Sequence, residues 1–453
     1  MVNSKTFVGR LCRWWTGIAV VGLTLWSSAA RAQINYAATV LYPLTAPSGF
    51  TSGVPGSSVA GQTVGSGDTT GSAYPQALLW SGPSGSVTNL NPAGFVGSEI
   101  DGTTGSEQVG YGDVVTNMQG SYVQHAVLWS GTAASAVDLQ PTGGPWAGFN
   151  SSVARAGSGN QQVGDVTAIP GGTSHAVLWN GAPSSAVDLN PANVSYSEAF
   201  GTDGAQQVGW AGNGTLDAYL WSGTAASAID LGPAGFLESR AVGVSGGQEV
   251  GYGFGPTTTQ GGVSYNHAFL WTGTESSAVD LDPAGYVNSE ALATNGSVQV
   301  GNAFVSLNAP GDNDDIAFAW SGSAASAVDL QSLLPANYDW VTSTAYSIDA
   351  AGNIYGTAGG TFDGVTGAFA VEWSPVPEPG MTGVLVVGAC GLLMRRKRTA
   401  ISEHKSAFPG SSLPVSLALN VGLFLPIREI CILRPAGYDS SPTRFEVSDV
   451  FGP

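Results

Sequence analysis

His125-Ala-Val-Leu-Trp129, then a Ser/Gly/Ala turn, then Ala136-Val-Asp-Leu139, is the phrase that decides the fold. It returns as His175-Ala-Val-Leu-Trp179 with Ala186-Val-Asp-Leu189, and as His267-Ala-Phe-Leu-Trp271 with Ala278-Val-Asp-Leu281. With looser variants the chain spells it seven times, closing on Trp80, Trp129, Trp179, Trp221, Trp271, Trp320 and Trp373. The spacings are 49, 50, 42, 50, 49 and 53 residues. A regular period of that size marks an array of one supersecondary unit.

Each interval holds four short apolar stretches parted by Gly, Asn, Ser or Pro, the pattern of strands and tight turns. In the repeat ending at Trp271 they are Ser239–Gly243, Gln248–Tyr252, His267–Trp271 and Ala278–Leu281. The second stretch recurs as Gln62-Thr-Val-Gly65, Glu107-Gln-Val-Gly110, Gln161-Gln-Val-Gly164 and Gln206-Gln-Val-Gly209. Nothing repeats every 3.6 residues, and Gly interrupts every run, so helical repeats are excluded. Four strands per repeat is the size of a propeller blade. A parallel β-helix is the rival, but its coils are usually shorter. The expected fold is all-β, a seven-bladed β-propeller of four-stranded blades over residues 33–375. The repeat region opens on a fourth-type strand, Tyr36–Leu44, and ends on a third-type strand at Trp373. The first should therefore complete the last blade and remove the free sheet edge.

Composition agrees. Of 453 residues, 65 are Gly and 25 Pro, and only 10 % are charged. Hydrophobic residues make up 43 %, enough to bury a core. Between Gln33 and Pro375 there are 26 acidic residues and two basic ones, Arg155 and Arg240. Nucleic acid binding needs a basic face to neutralise phosphates, and this region has none. Cys12, Cys390 and Cys431 all lie outside the repeats, so no disulfide is needed there and no cysteine nucleophile exists.

Both ends carry address labels. In residues 1–32, Lys5, Arg10 and Arg13 precede an apolar run, and Ala30-Arg-Ala32 precedes Gln33. That is the layout of a secretory signal peptide cut before Gln33. Near the other end, Val376-Pro377-Glu378-Pro379-Gly380 is followed by apolar Met381–Met394 and by Arg395-Arg396-Lys397-Arg398. One short transmembrane helix is expected over the apolar part. At ~1.5 Å per residue it falls short of the ~30 Å hydrocarbon core, which suits a transient stop. The basic cluster should stay cytoplasmic. Residues 376–398 resemble the PEP-CTERM sorting signal of bacteria. The resemblance implies recognition by an exosortase-type transpeptidase, transient membrane insertion, and release or attachment at the cell surface. Exopolysaccharide or other envelope components would then be the partners at hand. Residues 399–453 have no repeats, a different composition, and no assigned status.

The repeated phrase is similar to the bacterial extracellular HAF-repeat family, on the strength of His267-Ala268-Phe269. Gln76, Asp217, Ile316 and Phe369 stand where that histidine would be in other repeats. The resemblance implies secretion and architecture rather than an activity.

Residues with chemical potential mostly repeat, and that argues against catalysis. His125, His175 and His267 occupy equivalent places in different blades, so rotational symmetry holds them apart. The same holds for Asp138, Asp188, Asp230, Asp280 and Asp329, expected as hydrogen-bonding devices at blade edges. The seven Trp read as packing anchors between blades. Asp312, Asp314 and Asp315 alternate in the style of a calcium loop but lack the spaced bidentate Glu. They are the only metal candidates, and no cofactor is expected. No nucleophile elbow, zinc-protease motif, P-loop or dinucleotide fingerprint is present. The expected function is a structural or binding role in the cell envelope or extracellular matrix, not an enzymatic one. Two rivals stay open: a secreted enzyme acting on polysaccharide, and a calcium-dependent adhesin. An enzyme should break the repeat symmetry at one cluster on the central pore. Arg155 and Arg240, each near the first strand of its blade, are the only residues that hint at this.

Overall fold

The computed structural model describes residues 35–376, apart from residues 60, 83–84, 117–120, 256–264, 305–314 and 337. Residues 1–32, expected as a signal peptide, residues 377–398 of the expected sorting signal, and residues 399–453 lie outside the described residues. Among the described residues no helix is long and apolar enough to cross a membrane.

Seven four-stranded antiparallel sheets follow one another along the chain. Blade 2 is typical, with strands Gly97–Thr103, Gln108–Val115, Tyr122–Trp129 and Val137–Asp138. The last blade is closed by both ends of the repeat region. Tyr36–Pro43 pairs with Val365–Pro375, from Tyr36 opposite Pro375 to Pro43 opposite Phe369. Beyond them the Val376 N–H donates to the Asn35 carbonyl at 2.8 Å, so the region's two ends leave the disc side by side. The expected closure by the first strand is thus what the chain does.

The core lies between blades. Each cluster of buried side chains draws on two neighbours: Val64, Leu79 and Leu90 of blade 1 pack with Ile100, Val127 and Trp129 of blade 2. Every repeated Trp is at most 1 % exposed. Each such ring hides roughly 150–250 Å² of surface, which makes it the dominant anchor of its interface. A serine in six of the seven first strands adds a polar clamp. Ser98, Ser152, Ser197, Ser239, Ser289 and Ser343 each accept the Ala N–H of the third strand in the preceding blade, at 2.8–3.1 Å.

Two repeated glycines have separate reasons. A Cβ on Gly110 would lie 2.0 Å from the Glu99 carbonyl, and Gly164, Gly209 and Gly251 meet the same obstacle at 1.9 Å. The Val-Gly of the second strand therefore lets the first strand cross closely. Gly131, at φ 79°, turns the chain out of the third strand. Its N–H reaches the side chain of Gln108 at 2.9 Å.

One feature was not expected. The first strand of every blade carries a β-bulge, as between Ile100 and Gly102 or between Ala154 and Ala156. A bulge leaves one residue unpaired and re-aims its side chain. Here it turns that side chain toward the axis.

Candidate functional site

The seven bulged residues are Gly56, Asp101, Arg155, Phe200, Val242, Leu292 and Tyr346. All seven line one axial cavity of about 390 Å³, in company with Ser57 and Thr103. That volume lies within the usual range of ~300–1,000 Å³ for small-ligand sites. Flanking positions in this chain repeat almost verbatim, as in Ser197-Glu-Ala-Phe-Gly-Thr202 and Ser289-Glu-Ala-Leu-Ala-Thr294. The bulge position differs in every blade.

Arg155 is the hub. Its Nε donates to Asp165 Oδ1 at 3.1 Å, and its Nη2 donates to Glu198 Oε2 at 3.0 Å. Its guanidinium carbon lies 4.9 Å from the centre of the Phe200 ring, a cation–π distance. The side chain is 27 % exposed, and blade 3 is tied through it to blade 4. Burial would lower the proton affinity of this guanidinium, but Asp165, Glu198 and Asp101 raise it further.

The carboxyls around it are pushed the other way. Burial, opposed by Arg155 and aided by Glu99 and Asp165, lifts Asp101 to about 6. Burial and the neighbouring Asp165 lift Glu198 to about 7, against the pull of Arg155 and Arg240. Burial also raises Asp165, with Arg155 opposing. On the far side of Glu198, Arg240 hydrogen-bonds the Tyr252 hydroxyl and pulls on Glu290, which burial raises. Glu290 Oε1 accepts from Asn266 Nδ2 at 2.8 Å. Signs therefore alternate around blades 2 to 6: Asp101, Arg155, Glu198, Arg240, Glu290. Blades 7 and 1 present Thr344, Tyr346, Val54 and Gly56 at the same positions.

Of the two basic residues singled out in the sequence, Arg155 lines the pore, and Arg240 acts on its partner Glu198. Asp101, Asp165, Glu198, Glu290, Phe200 and Tyr346 were missed. The signal was available: laying the seven first strands under one another exposes the single column that never repeats.

The repeated candidates are where symmetry puts them. His125, His175 and His267 bond Asp138, Asp188 and Asp280 at 2.8–3.0 Å, one pair per blade. The second oxygen of each Asp accepts a backbone N–H two residues on, at 2.8–2.9 Å. These clasps hold the two-residue fourth strand. Asp230 accepts the same backbone bond from Gly232, and Asp329 accepts the Ser332 N–H three residues on. Among the described residues no group of three or more His, Cys, Asp or Glu is placed to hold a metal ion. Asp312 and Asp314 lie outside the described residues, and Asp315 begins a third strand opposite Phe304. Ala30, Ala32, Gln33, Pro377, Glu378, Pro379, Arg395, Arg396, Lys397 and Arg398 also lie outside them.

No family model matches the chain, and no curated protein matches it in sequence. Solved structures resemble part of it. Puromycin hydrolase is 12 % identical over 74 % of this chain and 55 % of its own, with a TM-score of 0.46. An acylaminoacyl peptidase of Pyrococcus horikoshii is 9 % identical over 74 % and 53 %, at 0.42. TolB from Acinetobacter baumannii is 11 % identical over 58 % and 62 %, at 0.36. The chain spans about half the length of the first of these structures. At such scores and identities the likeness carries nothing about activity, and the propeller rests on the chain's own strand order.

Proposed function

We propose that this chain is an exported bacterial propeller that binds a ligand at its axis, in the cell envelope or extracellular matrix. The observation that carries the binding half is the ring of seven different side chains at one repeated position. A purely structural disc needs no such asymmetry, whereas a ligand site does. Support for export comes from residues 1–32 and from the resemblance of residues 376–398 to a sorting signal read by an exosortase-type enzyme. Connectivity supports a docking face. The second-to-third-strand loops and the links between blades share one rim, where Val54, Leu237 and Val341 are 59, 55 and 54 % exposed. Glu99, Glu198, Arg240 and Glu290 precede their bulges and so sit on that side of the pore.

A second reading draws on one specific observation. Asp101 and Glu198, lifted to about 6 and about 7, flank Arg155. Carboxyls that titrate near neutrality are what general acid–base catalysis uses. A secreted enzyme acting on polysaccharide is the alternative on that ground.

Plugging the pore tests the axial site. A Cβ on Gly56 meets nothing closer than 3.6 Å, so Gly56→Trp fits the backbone and fills the channel. Envelope isolated from the host should retain the wild-type protein and release Gly56→Trp at unchanged melting temperature. Equal retention of the two would move the ligand off the axis. Intact mass tests export: the surface protein should begin at Gln33 and end near Pro377–Pro379, and retention of residues 399–453 would reject sorting.

A further inference from the structure

We propose that the axial pocket takes a small primary ammonium ion with an apolar body, Asp101 serving as its counter-ion. The inference rests on the axial-site reading above and names the class of ligand.

Charge comes first. Arg155 is already engaged by Asp165, Glu198 and the Phe200 ring, and these carboxyls offset its charge toward an anionic ligand. Asp101 stands on the cavity wall. The groups that face it are Glu99 on its own strand, Tyr111 on the next strand, and Arg155 and Asp165 in blade 3. Three carboxyls, Asp101, Asp165 and Glu198, thus act on one guanidinium, and Glu99 adds its charge beside Asp101. A narrow pore screens such a surplus poorly, so a cation is favoured there.

Shape comes second. In a seven-membered ring the wall opposite blade 2 belongs to blades 5 and 6. Their bulged residues are Val242 and Leu292, and Tyr346 follows in blade 7. At the level of the bulges that wall offers the carbon of Val242 and Leu292, while Arg240 and Glu290 lie two residues before them, toward one rim. A bare metal ion would find ligands on one side only. A saccharide, polar around its whole edge, would lose its partners against Val242 and Leu292. An ammonium head on Asp101 with a hydrocarbon body against Leu292 satisfies both walls. The lift of Asp101 to about 6 adds a pH signature: binding should weaken as the carboxylate protonates below that value.

The test is calorimetric titration of the protein purified from its host with phenethylammonium at pH 8. The neutral isostere 2-phenylethanol and methyl glucoside serve as controls. One-to-one binding of the amine is expected, with the alcohol at least tenfold weaker. Asp101→Asn should lose at least tenfold. Leu292→Ala should lose several-fold at unchanged melting temperature, which keeps the test alive if Asp101→Asn folds poorly. No heat with the amine, equal binding of the alcohol, or full affinity in Asp101→Asn overturns the ammonium proposal. If methyl glucoside binds instead and Gly56→Trp abolishes that binding, the axial site stands and only the ligand class falls.

Discussion

At the scale of single residues the clearest departure from symmetry outside the pore is Glu249. Four other blades hold Gln108, Gln162, Gln207 or Gln299 at its place in the second strand, and each accepts the N–H of Gly131, Gly181, Gly223 or Gly322. Glu249 does the same for Gly273 through Oε2 at 2.7 Å. It is fully buried, and Oε1 has no partner among the described residues. Burial raises its proton affinity. A carboxyl raised in the folded state penalises folding once pH exceeds the unfolded value of ~4.3. Glu249→Gln should therefore raise stability near pH 7, by about 1–3 kcal/mol for an unsatisfied buried group. The gain should vanish below about pH 4. Urea melts at the two pH values check it, and an equal gain at both would show the charge is not the cause. His267 is the opposite case. Its hydrogen bond to Asp280 raises its proton affinity against the cost of burial. The clasp is then strongest below ~6.5 and is lost as pH rises through the folded value. An NMR titration should find His267 above that reference. Because Asp280 is 46 % exposed, the effect on stability should be slight.

At the scale of elements, the serine clamp and the close-crossing glycine make neighbouring strands into blades and blades into a ring. Ser289→Ala leaves the Ala268 N–H without its partner at 3.0 Å and also frees Asp282, bonded at 2.6 Å. A loss of about 1–3 kcal/mol is expected in chemical denaturation. Gly251→Ala should be worse, because its Cβ would sit 1.9 Å from the Arg240 carbonyl, and backbone cannot step aside as a side chain does. It would also move Arg240, which acts on Glu198. Strand order and turns were legible from the Gln-x-Val-Gly and Ala-Val-Asp-Leu phrases. The bulge was not, because it is a mismatch between two strands and neither strand shows it alone. The fourth strand is also shorter than its phrase suggests, just Val279–Asp280 in blade 5, although the Leu281 N–H still bonds Ala268 at 2.8 Å.

At the scale of the whole molecule, closure is the central event. Removing residues 36–43 would strip the strand beside Val365–Pro375, remove Tyr42 from its cluster, and bare both a sheet edge and the side chains of Leu78, Trp80 and Ala370. Such a deletion should aggregate or melt well below the intact chain, as light scattering during a thermal ramp would show. A protein that melts unchanged would mean that the ring does not depend on this strand. The sequence by itself determined the repeat, the blade count, the closing strand and the packing role of the seven Trp. Each of these follows from local period and from which residue types tolerate burial or a turn. It also marked Arg155 and Arg240 as the odd residues of the array. Only the tertiary structure decided that Arg155 meets three carboxyls and an apolar wall on one axis, with Arg240 acting on its partner Glu198. That convergence is a product of rotation. Residues separated by a whole repeat in the chain become neighbours because seven bulged strands surround one pore, and no local pattern encodes the closing of a circle.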